Sequence, residues 1–187
     1  MTRPLESPRL SLRSYTGDDA AFVRDLYSRA DVQRYIGDGT QRVRTMDQAR
    51  AKIAAWNERY VDEPVQGLWA VCLKDGTVTG SLLLKSIPDS GTKAERDIEI
   101  GWHFHPDYWG HGYATEAARA VLEHAFASGL ERVVAVTNPA NMASHAVCLR
   151  LGMTHLGLSD AYYDVACELF EITAPTVGKG RPHGEQP

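Results

Sequence analysis

Cysteine is scarce in this chain, and the three present are spaced for neither pairing nor metal. Cys72, Cys148 and Cys167 lie far apart, their number is odd, and no C-x-x-C occurs. That excludes a disulfide framework or zinc site as the organising device, and each reads as a small core residue. A basic surplus is missing as well: 20 Lys plus Arg stand against 24 Asp plus Glu, a formal net charge of −4. Nucleic-acid binders draw much of their affinity from neutralising phosphates, so DNA and RNA are disfavoured as the main ligand. No run reaches the roughly 20 apolar residues of a membrane span. The opening Met1-Thr2-Arg3-Pro4-Leu5-Glu6 has no apolar signal segment. The expectation is a protein with no membrane partner, cytoplasmic by default.

Two phosphate-binding signatures are also absent. There is no G-x-x-x-x-G-K-[ST], and Gly178-Lys179-Gly180 has neither strand nor helix pattern beside it. The dinucleotide fingerprint G-x-G-x-x-G/A fails at Thr115. A nucleotide-phosphate binder of another class is thereby disfavoured.

What is present is an ordinary globular composition, 43% apolar and 24% charged over 187 residues. That length favours one domain with a substantial core. Arg9 to Tyr15 alternates polar and apolar, as a strand with one buried face does. Thr16 or Asp18 can cap a helix through Ala20, Phe22, Val23, Leu26 and Tyr27. Asp31 to Ile36 suits a short helical turn, and Met46 to Tyr60 a helix burying Ile53 and Trp56. Leu68–Lys74 and Val78–Lys85 are β-rich runs around Asp75-Gly76, a hairpin signal. A loop over Pro88–Thr92 and a strand over Arg96–His105 follow. Ala114 to Ala127 is the clearest helix, with Ala114, Ala117, Ala118, Val121, Leu122, Ala125 and Phe126 in one stripe and Gly129 as its stop. A strand over Arg132–Thr137, a helix opening at Asn138-Pro139 and ending near Gly152, and strands over Met153–Leu158 and Val165–Thr173 complete a mixed α/β pattern. Residues 174–187 read as a disordered tail.

The informative segment runs from Ile98 to Ala117. A strand leads into a glycine-bearing loop that becomes the first turn of the strongest helix. Such a turn offers unpaired N–H groups and partial positive charge. Gly110 and Gly112 lack a Cβ, so a phosphate oxygen can approach the backbone closely. This is a pyrophosphate cradle that needs no lysine; two glycines in a structural turn would look the same.

Tyr108-Trp109-Gly110-His111-Gly112-Tyr113-Ala114-Thr115-Glu116-Ala117 resembles the acetyl-CoA loop of the GNAT superfamily of N-acyltransferases, most closely in the branch of ribosomal-protein N-terminal acetyltransferases. Of the superfamily pattern [QR]-x-x-G-x-[GA], Gly112 and Ala114 match, and Trp109 replaces the usual Gln or Arg. Glu6 to Arg13 resembles the first strand of that branch. Thr137 to Ser144 followed by Arg150-Leu151-Gly152-Met153 resembles its second cofactor helix, and Tyr162-Tyr163 with Glu168-Leu169-Phe170 its closing strand. The resemblance spans roughly residues 6 to 173. It implies one GNAT-like domain over 6–173: a mixed, mostly antiparallel sheet with a splayed central strand pair and flanking helices. It further implies acetyl transfer from acetyl-CoA, without a metal, to a primary amine on a protein N-terminus or a small molecule. A homodimer is compatible with it. A non-catalytic acyl-CoA sensor would carry the same loop.

The resemblance assigns the cofactor to Phe104, His105, Trp109, Gly110, His111, Gly112, Tyr113, Ala114, Thr115, Asn138, Asn141 and Ser144. Glu99, Gly101 and His103 share one strand face. A carboxylate inside a buried strand is costly unless paired or used, which makes Glu99 the candidate general base. An ordinary salt bridge is the other reading of Glu99, and His103 is the alternative base. His111 is expected to offer its backbone N–H alone. Asn138 suits an N-cap before Pro139. Ser144 is the candidate acid for the leaving thiol, with Tyr162 or Tyr163 as the alternative. Trp56, Tyr35, Asp38 and Tyr60 are candidate pocket or core residues; no motif specifies the acceptor.

Overall fold

The computed structural model describes residues 2–37, 39, 40, 42–92 and 94–175. Its sheet has eight strands in the order β1-β2-β3-β4-β5-β6-β8-β7. β1 (Leu5–Glu6), β2 (Leu10–Arg13), β3 (Gly67–Leu73), β4 (Val78–Pro88) and β5 (Glu95–Phe104) pair antiparallel in succession. The tight return between β3 and β4 needs Gly76 at φ +91°, a conformation that L side chains resist. β6 (Arg132–Thr137), β8 (Cys167–Thr173) and β7 (Thr154–Ser159) form a second antiparallel group.

Strand alternation sorts the core into two layers. Leu10, Leu12, Trp69, Val71, Leu82, Leu84 and Ile100 pack against α4 (Tyr113–Ala127) on one face. Leu68, Ala70 and Cys72 pack on the other against α1 (Ala20–Ser28) and α3 (Met46–Arg59). α2 (Ala30–Gln33) is a single turn between them, and α5 (Met142–Arg150) follows β6. A capping box starts α3: Thr45 Oγ1 accepts from the Gln48 N–H and Gln48 Oε1 accepts from the Thr45 N–H. Among the described residues no helix is long and apolar enough to cross a membrane.

The two strand groups meet at one register pair. β5 and β6 run parallel and, among the described residues, are paired at Glu99↔Val134 alone. Beyond it each strand follows its own group. β6 stays paired to β8 from Arg132↔Thr173 to Thr137↔Glu168. The end of β5 stays with β4, where Gly80 lies opposite Phe104. A Cβ on Gly80 would lie 2.6 Å from the His103 carbonyl oxygen and 2.7 Å from the Phe104 ring. The His105 N–H then donates to the Thr79 carbonyl at 3.0 Å. The result is a wedge-shaped gap between the ends of β5 and β6, as the resemblance implies.

One expectation fails. The helix expected at Asn138-Pro139 begins at Met142, and its N-cap is Asn141. Asn138 Oδ1 accepts the Ala140 N–H at 2.9 Å, closing a turn before the helix starts. Asn side chains compete for the backbone in this way, and here that local bond outweighs the preference of Pro for a first helical position. The expected tail lies, beyond residue 175, outside the described residues.

Gly80→Ala is expected to lower the urea midpoint, because the added methyl must displace the end of β5. Denaturation curves beside wild type check the effect.

Candidate active site

The loop after β5 builds an anion cradle from backbone. Gly110 and Gly112 sit at φ +78° and +77°, the left-handed region that favours glycine. The first helical bond of α4 runs from the Glu116 N–H to the Gly112 carbonyl. The amides of Gly110, His111, Gly112, Tyr113, Ala114 and Thr115 make no hydrogen bond among the described residues. Six donors at a helix start fit a pyrophosphate. A second unmet group points the same way: the Thr137 hydroxyl, on the last residue of β6, is buried without a partner. Among the described residues no cluster of three His, Cys, Asp or Glu could hold a metal ion.

Side chains brace this loop, and Trp109 is one of them. Its indole N–H donates to the Phe104 carbonyl at 2.8 Å, tying the loop to the end of β5. The His111 ring is exposed but engaged, 2.8 Å from the Trp109 carbonyl and stacked on Tyr113. His105 is buried, with its N–H bonded to the Thr79 carbonyl and its carbonyl taken by the Tyr108 N–H. Its Nε2 lies 3.1 Å from Asp25 on α1. Both backbone groups of His105 are therefore spent inside the protein.

A brace that sequence reasoning missed comes from the start of β2. Arg9 Nε donates to Glu116 Oε2 at 2.6 Å, and its guanidinium also reaches the His111 carbonyl at 3.1 Å. The Arg9 N–H and the Ser7 hydroxyl each donate to Glu116 Oε1 at 2.8 Å. Partial burial works against the Glu116 carboxylate, but these donors together hold its pKa below the usual range. Both partners stand in the segments that carry the family resemblance; nothing in their spacing says that they meet.

Glu99 sits at the vertex of the gap, in the one register pair that joins the two groups. It is 8% exposed. Burial raises its pKa, partly offset by the Lys85 charge 3.6 Å away and by the Tyr163 hydroxyl, which donates to Oε2 at 2.5 Å. Lys85 in turn donates to the Tyr163 oxygen at 2.6 Å. Tyr162 goes elsewhere: its hydroxyl donates to Asp97 at 2.6 Å, and burial, then Asp97, pushes its pKa up to about 12. His103 shares the face of Glu99, with side-chain-free Gly101 between them; Tyr27 packs edge-on to it, and Trp56 packs on Tyr27. Tyr60 is core, and Tyr35 reaches across to the Ala140 carbonyl at 3.4 Å. Asp38 lies outside the described residues.

Asn141 Oδ1 accepts the Ser144 N–H at 3.2 Å, so Asn141 caps α5 and Ser144 stands in its first turn. The Ser144 hydroxyl makes no hydrogen bond among the described residues. Cys148 is fully buried, and burial drives its thiol up to about 12.

The fold sets a splayed strand pair beside a helix start with unpaired backbone donors, an arrangement that can take an anionic carrier. The chain belongs to the GNAT acetyltransferases: residues 9–154 match the model of the acetyltransferase (GNAT) domain. It is 32% identical over 154 residues to YnaD, an N-acetyltransferase of Bacillus subtilis, covering 82% of this chain and 84% of that one. A GNAT-family acetyltransferase from Bacillus anthracis superposes with a TM-score of 0.71 at 25% identity, covering 91% of this chain and 98% of that one. RimL, a ribosomal alpha-N-protein acetyltransferase solved with coenzyme A, shares the fold at a TM-score of 0.75 and 16% identity, covering 92% and 98%. The protein is an acetyl-CoA-dependent acetyltransferase.

Arg9→Ala is expected to raise the KM for acetyl-CoA by about three- to tenfold with kcat nearly unchanged, the scale of one charge-assisted hydrogen bond. Glu116→Gln keeps the shape of the brace and is expected to fall between Arg9→Ala and wild type in the same titration.

Proposed function

We propose that this acetyltransferase moves the acetyl group from acetyl-CoA to a primary amine, on a protein N-terminus or a small molecule, by direct attack in a ternary complex. The observation that carries the reading is the buried Glu99 carboxylate at the vertex of the gap. Glu99 takes the proton of the acceptor ammonium, directly or through water, and the freed amine attacks the thioester carbonyl. Tyr163 and Lys85 orient the carboxylate and keep it charged often enough to act. Burial raises its pKa towards the operating pH, which is where a base works best.

The amides from Gly110 to Thr115 hold the pyrophosphate, with Trp109 and Arg9 fixing their positions. Phe104 stands at the edge of the gap, and Asn138, Asn141 and Thr137 at the mouth of β6 border the pantetheine arm. Ser144 hydrogen-bonds the departing sulfur and relays to it, through water, the proton that the attacking nitrogen loses, so the serine ends as the hydroxyl it began. The tyrosines are the weaker choice for that acid, because the hydroxyl hydrogens of Tyr162 and Tyr163 are already committed to Asp97 and Glu99. A free thiol has a pKa of about 8.5, so the sulfur demands only a modest donor. Direct transfer is supported by the thiols as well. Cys148 is buried and, at a pKa of about 12, carries no thiolate with which to form an acyl-enzyme.

Acetyl-CoA is expected to raise Tm progressively, since it binds only the native state. A flat melting curve at millimolar acetyl-CoA would remove the cofactor reading. Glu99→Gln is expected to lower kcat by roughly a hundredfold, the scale of a positioned base, without altering acetyl-CoA affinity. The carboxyl must be ionised to act, so wild-type rates should rise with pH through a midpoint above the usual carboxylate value of about 4.3. That limb should be missing from Glu99→Gln in initial rates measured against a panel of amines and peptides. Ser144→Ala should slow transfer while acetyl-CoA still binds. A fully active Ser144→Ala beside a crippled Tyr163→Phe moves the acid to the tyrosine.

A further inference from the structure

Beyond Glu99, four side chains on the acceptor face touch in series and end on a backbone carbonyl. His103 Nδ1 lies 3.1 Å from the Tyr27 hydroxyl. The Tyr27 oxygen lies 2.9 Å from Ser81 Oγ, and Ser81 Oγ lies 2.7 Å from the Tyr15 hydroxyl. The Tyr15 oxygen lies 3.0 Å from the Gly80 carbonyl oxygen. Tyr15, Tyr27 and Ser81 are buried, so the protein itself must satisfy the chain.

The hydrogens can be counted. Each hydroxyl has one, and a carbonyl only accepts. The contact with Gly80 therefore takes the hydrogen of Tyr15. Tyr15 must then accept from Ser81, Ser81 from Tyr27, and Tyr27 from His103 Nδ1–H. In that order every contact holds one hydrogen. The reverse order sets lone pairs of Tyr15 and Gly80 against each other at 3.0 Å and strips the carbonyl of its donor.

We propose that Tyr15, Ser81 and Tyr27 form a one-way hydrogen-bond chain that fixes His103 as its Nδ1–H tautomer, so that the Nε2 lone pair accepts an N–H of the acceptor amine. This rests on the acetyl-transfer reading above; it makes His103 a substrate-binding residue and Tyr27 and Ser81 positioning residues. Nε2 makes no hydrogen bond among the described residues, and the His103 side chain is half-buried. It lies on the face of Glu99 and beyond the last β5–β6 pair, level with the open part of the gap. At Gly101, between the two side chains, a Cβ would meet Leu83 at 3.1 Å, so no side chain of β5 separates Glu99 from His103.

An acceptor must stay neutral to keep its lone pair. Burial, then the charges of Lys52 on α3 and Lys85 on β4, lowers the His103 pKa to about 4. The remaining groups that face it are Tyr27 on α1 and Glu99 on its own strand. Tyr27 is held protonated by burial and remains able to donate. His103 thus presents one fixed acceptor through the physiological range, while Glu99 takes the proton.

Two measurements test this. In protein labelled with 15N, long-range imidazole spectra from pH 5 to 9 are expected to show Nδ1 protonated, Nε2 unprotonated and no titration. Tyr27→Phe should yield a mixture of tautomers. An Nε2–H pattern in wild type, or a titration near 6.5, overturns the chain. In kinetics, Tyr27→Phe and Ser81→Ala are expected to lower kcat/KM for the amine roughly tenfold, a positioning effect, with the KM for acetyl-CoA unchanged. Acetyl-CoA-induced stabilisation should persist in both, which shows that they fold. His103→Phe should lose at least as much. Wild-type amine kinetics in Tyr27→Phe beside a crippled Glu99→Gln overturn this proposal and leave the transfer reading intact. A wild-type protein that acetylates no amine overturns both.

Discussion

The site exists because two strand groups share one pair of residues. Among the described residues Glu99 and Val134 are the one register pair between β5 and β6, and past it each strand is held by a different neighbour. β8 holds β6 along its whole length, while β4, Thr79 and Asp25 hold the end of β5. Past that pair β5 follows β4 and β6 follows β8, so the facing edges of the two strands diverge. The divergence leaves a gap with the start of α4 beside it.

The same vertex makes Glu99 useful. Water is excluded there, so a charge must be supported from within the protein. The support comes from the far end of the chain. Tyr163 and Asp164 hold φ values of +60° and +56°, unusual for side chains with a Cβ and costing of the order of 1 kcal/mol each. The loop is held there by the Gly91 N–H, which donates to Asp164 at 2.6 Å, and by the Tyr163 hydroxyl on Glu99. Strain in this loop delivers a phenol to the carboxylate, and Lys85 completes the trio.

Division of labour follows from strand parity. Ile98, Ile100, Trp102 and Phe104 of β5 pack in the core layer of α4, while Glu99 and His103 face the Tyr163 loop and Tyr27 of α1. One face of a single strand therefore secures the fold while the other carries its buried polar side chains, Glu99 and His103. Trp109 acts as a strut between the loop and β5, its indole N–H donating to the Phe104 carbonyl.

Much of this was legible in the sequence, because it depends on local physics. Alternation marked the strands, the alanine-rich stripe marked α4, Asp75-Gly76 marked the hairpin, and glycines before a helix marked the cradle. Glu99 stood out as a carboxylate in an apolar strand. Local signals failed where two of them competed, as at Asn138, whose side chain closes a turn before Pro139 can open a helix. Pairings across long separations had no signal at all. Arg9 with Glu116, Tyr163 with Glu99, and Tyr15 through Ser81 to Tyr27 and His103 meet only after the sheet has assembled. Spacing along a chain determines which face a side chain takes. Which partner it finds there is decided by how strands separated in sequence come to lie side by side.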